Sequence, residues 1–184
     1  EVRPGKLTPY LDAETIDNAV RRLARELDRD YAARPPVLVG VLKGGFIFLA
    51  DLVRRLQVSV LSVEFLRLSS YGGNTVSSGA PRIEVGLPDD AVRNRHLVVV
   101  EDIVDTGLTT AAVLGYLREK KPASIRLCVL LEKPEKRRVS TVIDYLGFTV
   151  PDRFLVGYGL DLDQQYRQLP GIHILNRESG GQTG

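Results

Sequence analysis

Apolar residues recur at spacings of three and four between Asp12 and Tyr31, at Ile16, Ala19, Val20, Leu23, Leu27 and Tyr31. Charged Asp17, Arg21, Arg25, Asp28 and Arg29 fall between them, so the spacing predicts an amphipathic helix that opens near Asp12 and stops at Pro35-Pro36. The period then changes. Val37 to Leu42 is a continuous apolar run, closed by Lys43-Gly44-Gly45 and rich in β-branched residues, which reads as a strand covered on both faces. Helical spacing resumes from Phe46 to Leu56, with Phe46, Leu49, Ala50, Val53 and Leu56 on one side. Val58 to Leu66, Leu97 to Val100 and Ile125 to Leu131 read as strands, with Val142 to Val150 and Phe154 to Val156 as weaker ones. Thr109 to Lys120 reads as a helix burying Ala112, Val113, Tyr116 and Leu117. Buried strands alternating with helices predict an α/β fold with a mainly parallel sheet flanked by helices.

Two segments break the pattern. Ser69 to Pro81 is polar and rich in Ser, Gly, Asn and Thr, a length that suits a functional flap or a disordered excursion. Glu178 to Gly184 carries no apolar anchor and reads as a frayed tail. Neither an internal repeat nor a linker divides residues 1–176, so they read as one domain. With 43% hydrophobic and 26% charged residues in 184, the chain has an ordinary globular composition. Its apolar runs are too short to span a bilayer, and its opening carries no signal pattern. Cys128 has no second cysteine to pair with, which fits a reducing cytoplasm. A net charge of +2 implies no bulk attraction to nucleic acid or anionic lipid, so any polyanion must be held by a local site.

That local site is written where the strand Leu97 to Val100 ends. Glu101 and Asp102 follow it, then Asp105, then Thr106-Gly107-Leu108-Thr109-Thr110 opening a helix. Gly107 permits a tight path, and the first amides of a helix have no intrahelical acceptor, so this turn is suited to a terminal phosphate. The hydroxyls of Thr106, Thr109 and Thr110 add to it. The two acids before it are placed to hold sugar hydroxyls or a divalent cation.

The run Glu101-Asp102-Ile103-Val104-Asp105-Thr106-Gly107 resembles the phosphoribosyl-pyrophosphate signature of the type I phosphoribosyltransferases. Val41-Leu42-Lys43-Gly44-Gly45, Val63 to Leu68 with Ser70-Tyr71, Leu130 to Lys133, and Pro151 to Asp161 with Arg167 resemble its hypoxanthine-guanine branch. The likeness implies that fold, with a small hood and a flexible lid over about 69–81, on a phosphoribosyltransferase domain of residues 1–176. It implies magnesium-dependent transfer of 5-phosphoribose from phosphoribosyl pyrophosphate to N9 of hypoxanthine or guanine, releasing pyrophosphate. Asp105 would be the general base, Asp105, Thr106, Gly107, Leu108 and Thr109 the 5-phosphate loop, and Lys43, Gly44 and Arg167 the pyrophosphate contacts. Lys133, Phe154, Leu155 and Asp161 would serve the purine side, with Glu101, Asp102 and Asp161 around magnesium and Ser70-Tyr71 in the lid. Leu108 departs from relatives that carry Lys there. The likeness also implies a cis peptide before Lys43 and a homodimer or homotetramer, with no nucleic-acid or membrane partner. Two other readings stand beside it: transfer to xanthine or another 6-oxo base, and a non-catalytic nucleotide sensor on the same fold.

Overall fold

The computed structural model describes residues 6–69 and 81–176. The expected lid residues Ser70 and Tyr71, and the tail from Glu178, lie outside them. Strand β1 (Lys6–Leu11) leads into helix α1 (Ala13–Tyr31), whose start is fixed by Asp12, a side-chain oxygen of which accepts from the Thr15 amide at 2.8 Å. Strand β2 (Val37–Leu42), helix α2 (Phe46–Val53), strand β3 (Ser62–Ser69), strand β4 (Arg82–Val85) and the single turn α3 (Asp89–Val92) follow. Next come β5 (His96–Val104), α4 (Leu108–Glu119), β6 (Ser124–Glu132), β7 (Tyr145–Thr149), β8 (Leu155–Val156) and β9 (Ile172–Asn176).

The main sheet has the order β4-β3-β2-β5-β6-β7, parallel throughout except for β4 at its edge. Its continuous apolar strands are explained by what covers them. Leu38, Val98, Val100, Cys128 and Leu130 face a core shared with Ile16, Leu23 and Leu27 of α1 and Phe48, Leu49 and Leu52 of α2. Their neighbours Val37, Val39, Leu97, Val99, Leu127 and Val129 face the other way, onto Val113, Leu114 and Leu117 of α4. A period of two is therefore hidden inside each apolar run, because both faces are dry. A second antiparallel sheet, β1-β9-β8, is the hood.

Several expectations are corrected. Helix α2 ends at Val53 rather than Leu56 and buries Phe48, Leu49 and Leu52, leaving Phe46 and Ala50 exposed. Its eight residues are apolar except Asp51, so no polar stripe marked the wet side. Helix α4 buries Thr110 and Leu114, while Ala112 and Tyr116 are only partly covered. Strand β3 begins at Ser62 rather than Val58, because the Gln57 and Val58 amides donate to Asp28 Oδ1 of α1 instead of to a neighbouring strand. Strand β7 is confined to Tyr145–Thr149. Strands β1, β4 and β9 were not expected. Strand β5 runs on to Val104, so Glu101 and Asp102 sit inside the strand rather than beyond it.

Strand β2 sends the chain outward to β3, whereas β5 sends it the opposite way to β6 and β7. The boundary between β2 and β5 is thus a topological switch point, the place where an open parallel sheet leaves a crevice beyond its carboxyl ends. The turns after β2 and β5 are the two that sequence singled out.

Candidate active site

The turn after β5 builds the first half of the site. Gly107 takes φ +82°, a left-handed conformation, and a Cβ there would lie 2.5 Å from the Val139 carbonyl oxygen, so both backbone and space require glycine. It caps α4, whose first bond runs from the Ala111 amide to the Gly107 carbonyl at 2.9 Å. The Leu108, Thr109 and Thr110 amides in this first turn have no carbonyl four residues back within the helix. Beside them lies a cleft of about 290 Å³ walled by Leu42, Gly44, Asp102, Asp105, Thr106 and Thr109. A cleft thus adjoins the first-turn amides at the turn that the sequence singled out, with the Leu108 amide donating weakly to Thr106 Oγ1 at 3.4 Å. The Thr110 hydroxyl is taken up elsewhere: it is buried and donates to Glu101 Oε2 at 2.7 Å.

Glu101 forms part of the floor of this cleft and is only 2% exposed. One oxygen accepts from Thr110, and the other, Oε1, is buried with no hydrogen-bond partner. Burial pushes its carboxyl up to about 8, and the neighbouring Asp102 charge adds to the rise despite the Thr110 bond. The folded chain therefore binds this proton more tightly than the unfolded chain does, and stability falls as pH rises between the two values. From about pH 6 to about pH 8 the ligand-free chain is expected to lose about 2 kcal/mol of stability through Glu101. Glu101→Gln should flatten that slope. Denaturant melts across this range measure it, and an equally steep curve for the variant would remove Glu101 as the cause.

The turn after β2 builds the second half. The Leu42–Lys43 peptide is cis, as the resemblance implies. Gly44 lies directly on the Asp102 carboxylate, and a Cβ on Gly44 would sit 1.8 Å from Asp102 Oδ2. Any Cβ at this position would force the Asp102 carboxylate to move. A cleft of about 490 Å³ opens here, shared with the first at Leu42 and bordered by Lys43, Arg67, Arg167, Asp161 and Gln164. Arg167 pairs with Asp161 at 3.0 Å, donates to the Gly159 carbonyl at 2.6 Å, and bonds Gln164 Oε1 at 3.2 Å. Lys43 Nζ reaches the same Gln164 oxygen at 3.1 Å. Three cations thus line one cleft, with Arg67 paired to Glu84 at 3.0 Å and Arg167 to Asp161, a setting for an anion that displaces those carboxylates. Burial pushes Asp102 up to about 6, opposed by the Ile103 amide and Arg167 and assisted by Asp161.

Lys133 and the segment after β7 form the third part. Lys133 is 6% exposed, and its Nζ donates to the Arg153 carbonyl at 2.7 Å, directly beside Phe154. An ammonium has three donors, so this bond leaves others for a guest. Burial lowers the Lys133 pKa, with Asp105 opposing the fall. The Phe154 ring is 37% exposed, whereas Leu155 is buried in β8 against Ile174. Asp105 stands between this part and the cradle. Its Oδ1 is buried without a hydrogen-bond partner, and its Oδ2 lies 3.8 Å from Lys136.

The structure therefore gathers Lys43, Gly44, Asp102, Asp161 and Arg167 around the two joined clefts with Asp105 to Thr109. Asp161 falls beside Arg167 rather than with Phe154. Of the three residues expected around a metal, Glu101, only 2% exposed, and Asp102 line the first cleft, and Asp161 lines the second. Arg67, Gln164 and Lys136 were missed. Arg67 had a usable signal, because it lies in the strand motif before the polar flap; Gln164 and Lys136 had none. A larger cavity of about 660 Å³ beside Leu114, Ile125 and Val142 holds none of the expected residues.

Comparison with known proteins agrees with this geometry. Residues 8–163 match the model of the phosphoribosyl transferase domain family. The chain is 45% identical over 176 residues to a hypoxanthine-guanine phosphoribosyltransferase of Aquifex aeolicus, covering 95% of this chain and 98% of that one. It is 41% identical over 165 residues to the Bacillus subtilis protein of the same name, covering 90% and 91%. A solved hypoxanthine phosphoribosyltransferase from Staphylococcus aureus superposes with a TM-score of 0.87 at 36% identity, covering 97% of this chain and 95% of that one. With its switch-point clefts, its acid-and-threonine turn and these relatives, the chain belongs to the phosphoribosyl transferase family, in its hypoxanthine-guanine branch.

Proposed function

We propose that this enzyme transfers 5-phosphoribose from phosphoribosyl pyrophosphate to N9 of hypoxanthine or guanine, salvaging the base as its nucleotide. The observation that carries the reading is the junction at Leu42 of a first-turn amide cradle with a cleft lined by Lys43, Arg67 and Arg167. A molecule with a monoester at one end and a diphosphate at the other fits that pair of clefts, with its anomeric carbon between them. The 5-phosphate accepts from the amides of residues 106–109, and the diphosphate lies against the three cations. The base stacks on Phe154 with its O6 toward Lys133. As purine N9 bonds to C1, the bond from C1 to the diphosphate oxygen breaks, and the proton on N7 passes to Asp105. An Asp105 Oδ1 with no hydrogen-bond partner in the protein supports this reading.

Magnesium fits the residues present. Asp102 and Asp161 are hard oxygen donors, and the charge of Asp161 already acts on Asp102 from across the join. Magnesium is usually held by one or two carboxylates together with substrate phosphates rather than by an all-protein cage. Bound there, it would neutralise part of the diphosphate charge. Those two carboxylates would hold it, with Glu101 next to Asp102 in the floor of the first cleft. The unpaired thiol of Cys128 accords with a cytoplasmic enzyme. Exposed Val63 and Phe65, alternate residues on one face of β3, accord with a homodimer or homotetramer.

The test supplies labelled hypoxanthine, guanine or xanthine with phosphoribosyl pyrophosphate and magnesium. Inosine or guanosine monophosphate and an equal amount of pyrophosphate are expected, and the xanthine arm separates this reading from transfer to another 6-oxo base. Absence of product from all three bases would refute the reading.

A further inference from the structure

Lys136 carries no family motif, yet it occupies a position between the two substrate sides of the site. It ends the single 3-10 turn Pro134–Lys136 that follows Lys133. Its Nζ lies 3.0 Å from Asp152 Oδ1 and 3.8 Å from Asp105 Oδ2. Asp152 Oδ1 is in turn 3.9 Å from Lys133 Nζ. Charges therefore alternate along a row of Lys133, Asp152, Lys136 and Asp105. The row joins parts with different tasks. Asp105 opens the phosphate turn, whereas Asp152 opens the short segment that carries Phe154 and Leu155.

We infer that Lys136 is a positioning residue, tying the purine-side segment to the Asp105 turn so that carboxylate and purine meet in register. This rests on the reading of Asp105 as the base given above. Ion pairs this exposed, with 42% of the Lys136 side chain and 39% of Asp105 open to solvent, contribute little to stability. What the contact supplies is geometry. The backbone of the same connection already grips the turn, since the Arg138 and Val139 amides donate to the Thr106 carbonyl at 2.9 and 3.1 Å. Those bonds fix the main chain of the turn but make no contact with the Asp105 carboxylate. Lys136 attracts its Oδ2 across 3.8 Å, and at 3.0 Å it pairs with Asp152 on the loop that carries Phe154. Proton transfer demands hydrogen-bond reach, and a misplacement of about 1 Å costs up to about a hundredfold in rate.

Lys136→Gln removes the charge while keeping a flexible, though shorter, polar side chain. It is expected to lower kcat about tenfold while KM for each substrate stays within about threefold. Lys136→Arg should restore most of that loss, because a guanidinium still spans the two carboxylates. In an Asp105→Asn background, Lys136→Gln should add almost nothing, since the group it positions is already disabled. An unchanged kcat in Lys136→Gln would overturn the inference, as would a loss that Lys136→Arg fails to restore. A loss additive with Asp105→Asn would overturn it too, because a merely structural defect adds. If the unsubstituted chain forms no nucleotide from any 6-oxopurine, the function falls and this inference with it. An active chain indifferent to Lys136→Gln removes the inference alone.

Discussion

Asp105→Asn is expected to lower kcat for nucleotide formation by about a hundredfold to ten-thousandfold, the usual range for loss of a positioned general base. Binding of phosphoribosyl pyrophosphate should change by no more than about threefold, since the amides that grip the monoester belong to the backbone. Asparagine has nearly the same shape and keeps one oxygen, so the turn should retain its bond from Arg138 to the Thr106 carbonyl. What it loses is basicity. Steady-state rates together with direct titration of the sugar substrate separate the two effects. A raised dissociation constant with unchanged turnover would make Asp105 part of the phosphate grip and leave the proton without an acceptor.

The second large effect concerns Lys133, which sets the choice of base. Its ammonium is nearly enclosed and held by the Arg153 carbonyl at 2.7 Å, so it faces a bound purine as a donor that cannot turn into an acceptor. Oxygen at purine position 6 satisfies it; an amino group would set donor against donor. Lys133→Gln offers an amide that serves either partner. The preference for hypoxanthine over adenine in kcat/KM should fall about a hundredfold, equivalent to about 2–3 kcal/mol for a charge-assisted bond. Competition assays with the two bases measure it directly. An undiminished preference would move the recognition of position 6 to another group.

How much of this was legible in the sequence depended on how local the signal was. The apolar runs at Val37, Leu97 and Ile125 announced a sheet buried on both faces, and Asp12 announced the start of α1. Asp105 to Thr109 was readable because phosphate grip, turn and helix start are one contiguous stretch. The hood strand β1 was hidden, because Pro9 and alternating polar residues look like loop until β9 pairs with them. The position of Glu101 was misjudged for a related reason. An acid after four apolar residues looks like the end of a strand, yet β5 carries it into the interior, where Thr110 supplies the bond it needs. Gln164 and Lys136 are ordinary surface residues in sequence. Only the fold brings Gln164 to Lys43 and Arg167, and Lys136 to Asp105 and Asp152.

The place where a ribonucleotide comes to rest decides the role of both clefts. The most direct measurement is a crystal structure of the chain soaked with inosine monophosphate. The expected density places the phosphate within hydrogen-bond reach of the amides of residues 106–109, the base over the Phe154 ring, and O6 beside Lys133. A nucleotide found elsewhere, for instance in the larger cavity beside Leu114 and Ile125, with the switch-point clefts left to solvent, would contradict the assignment.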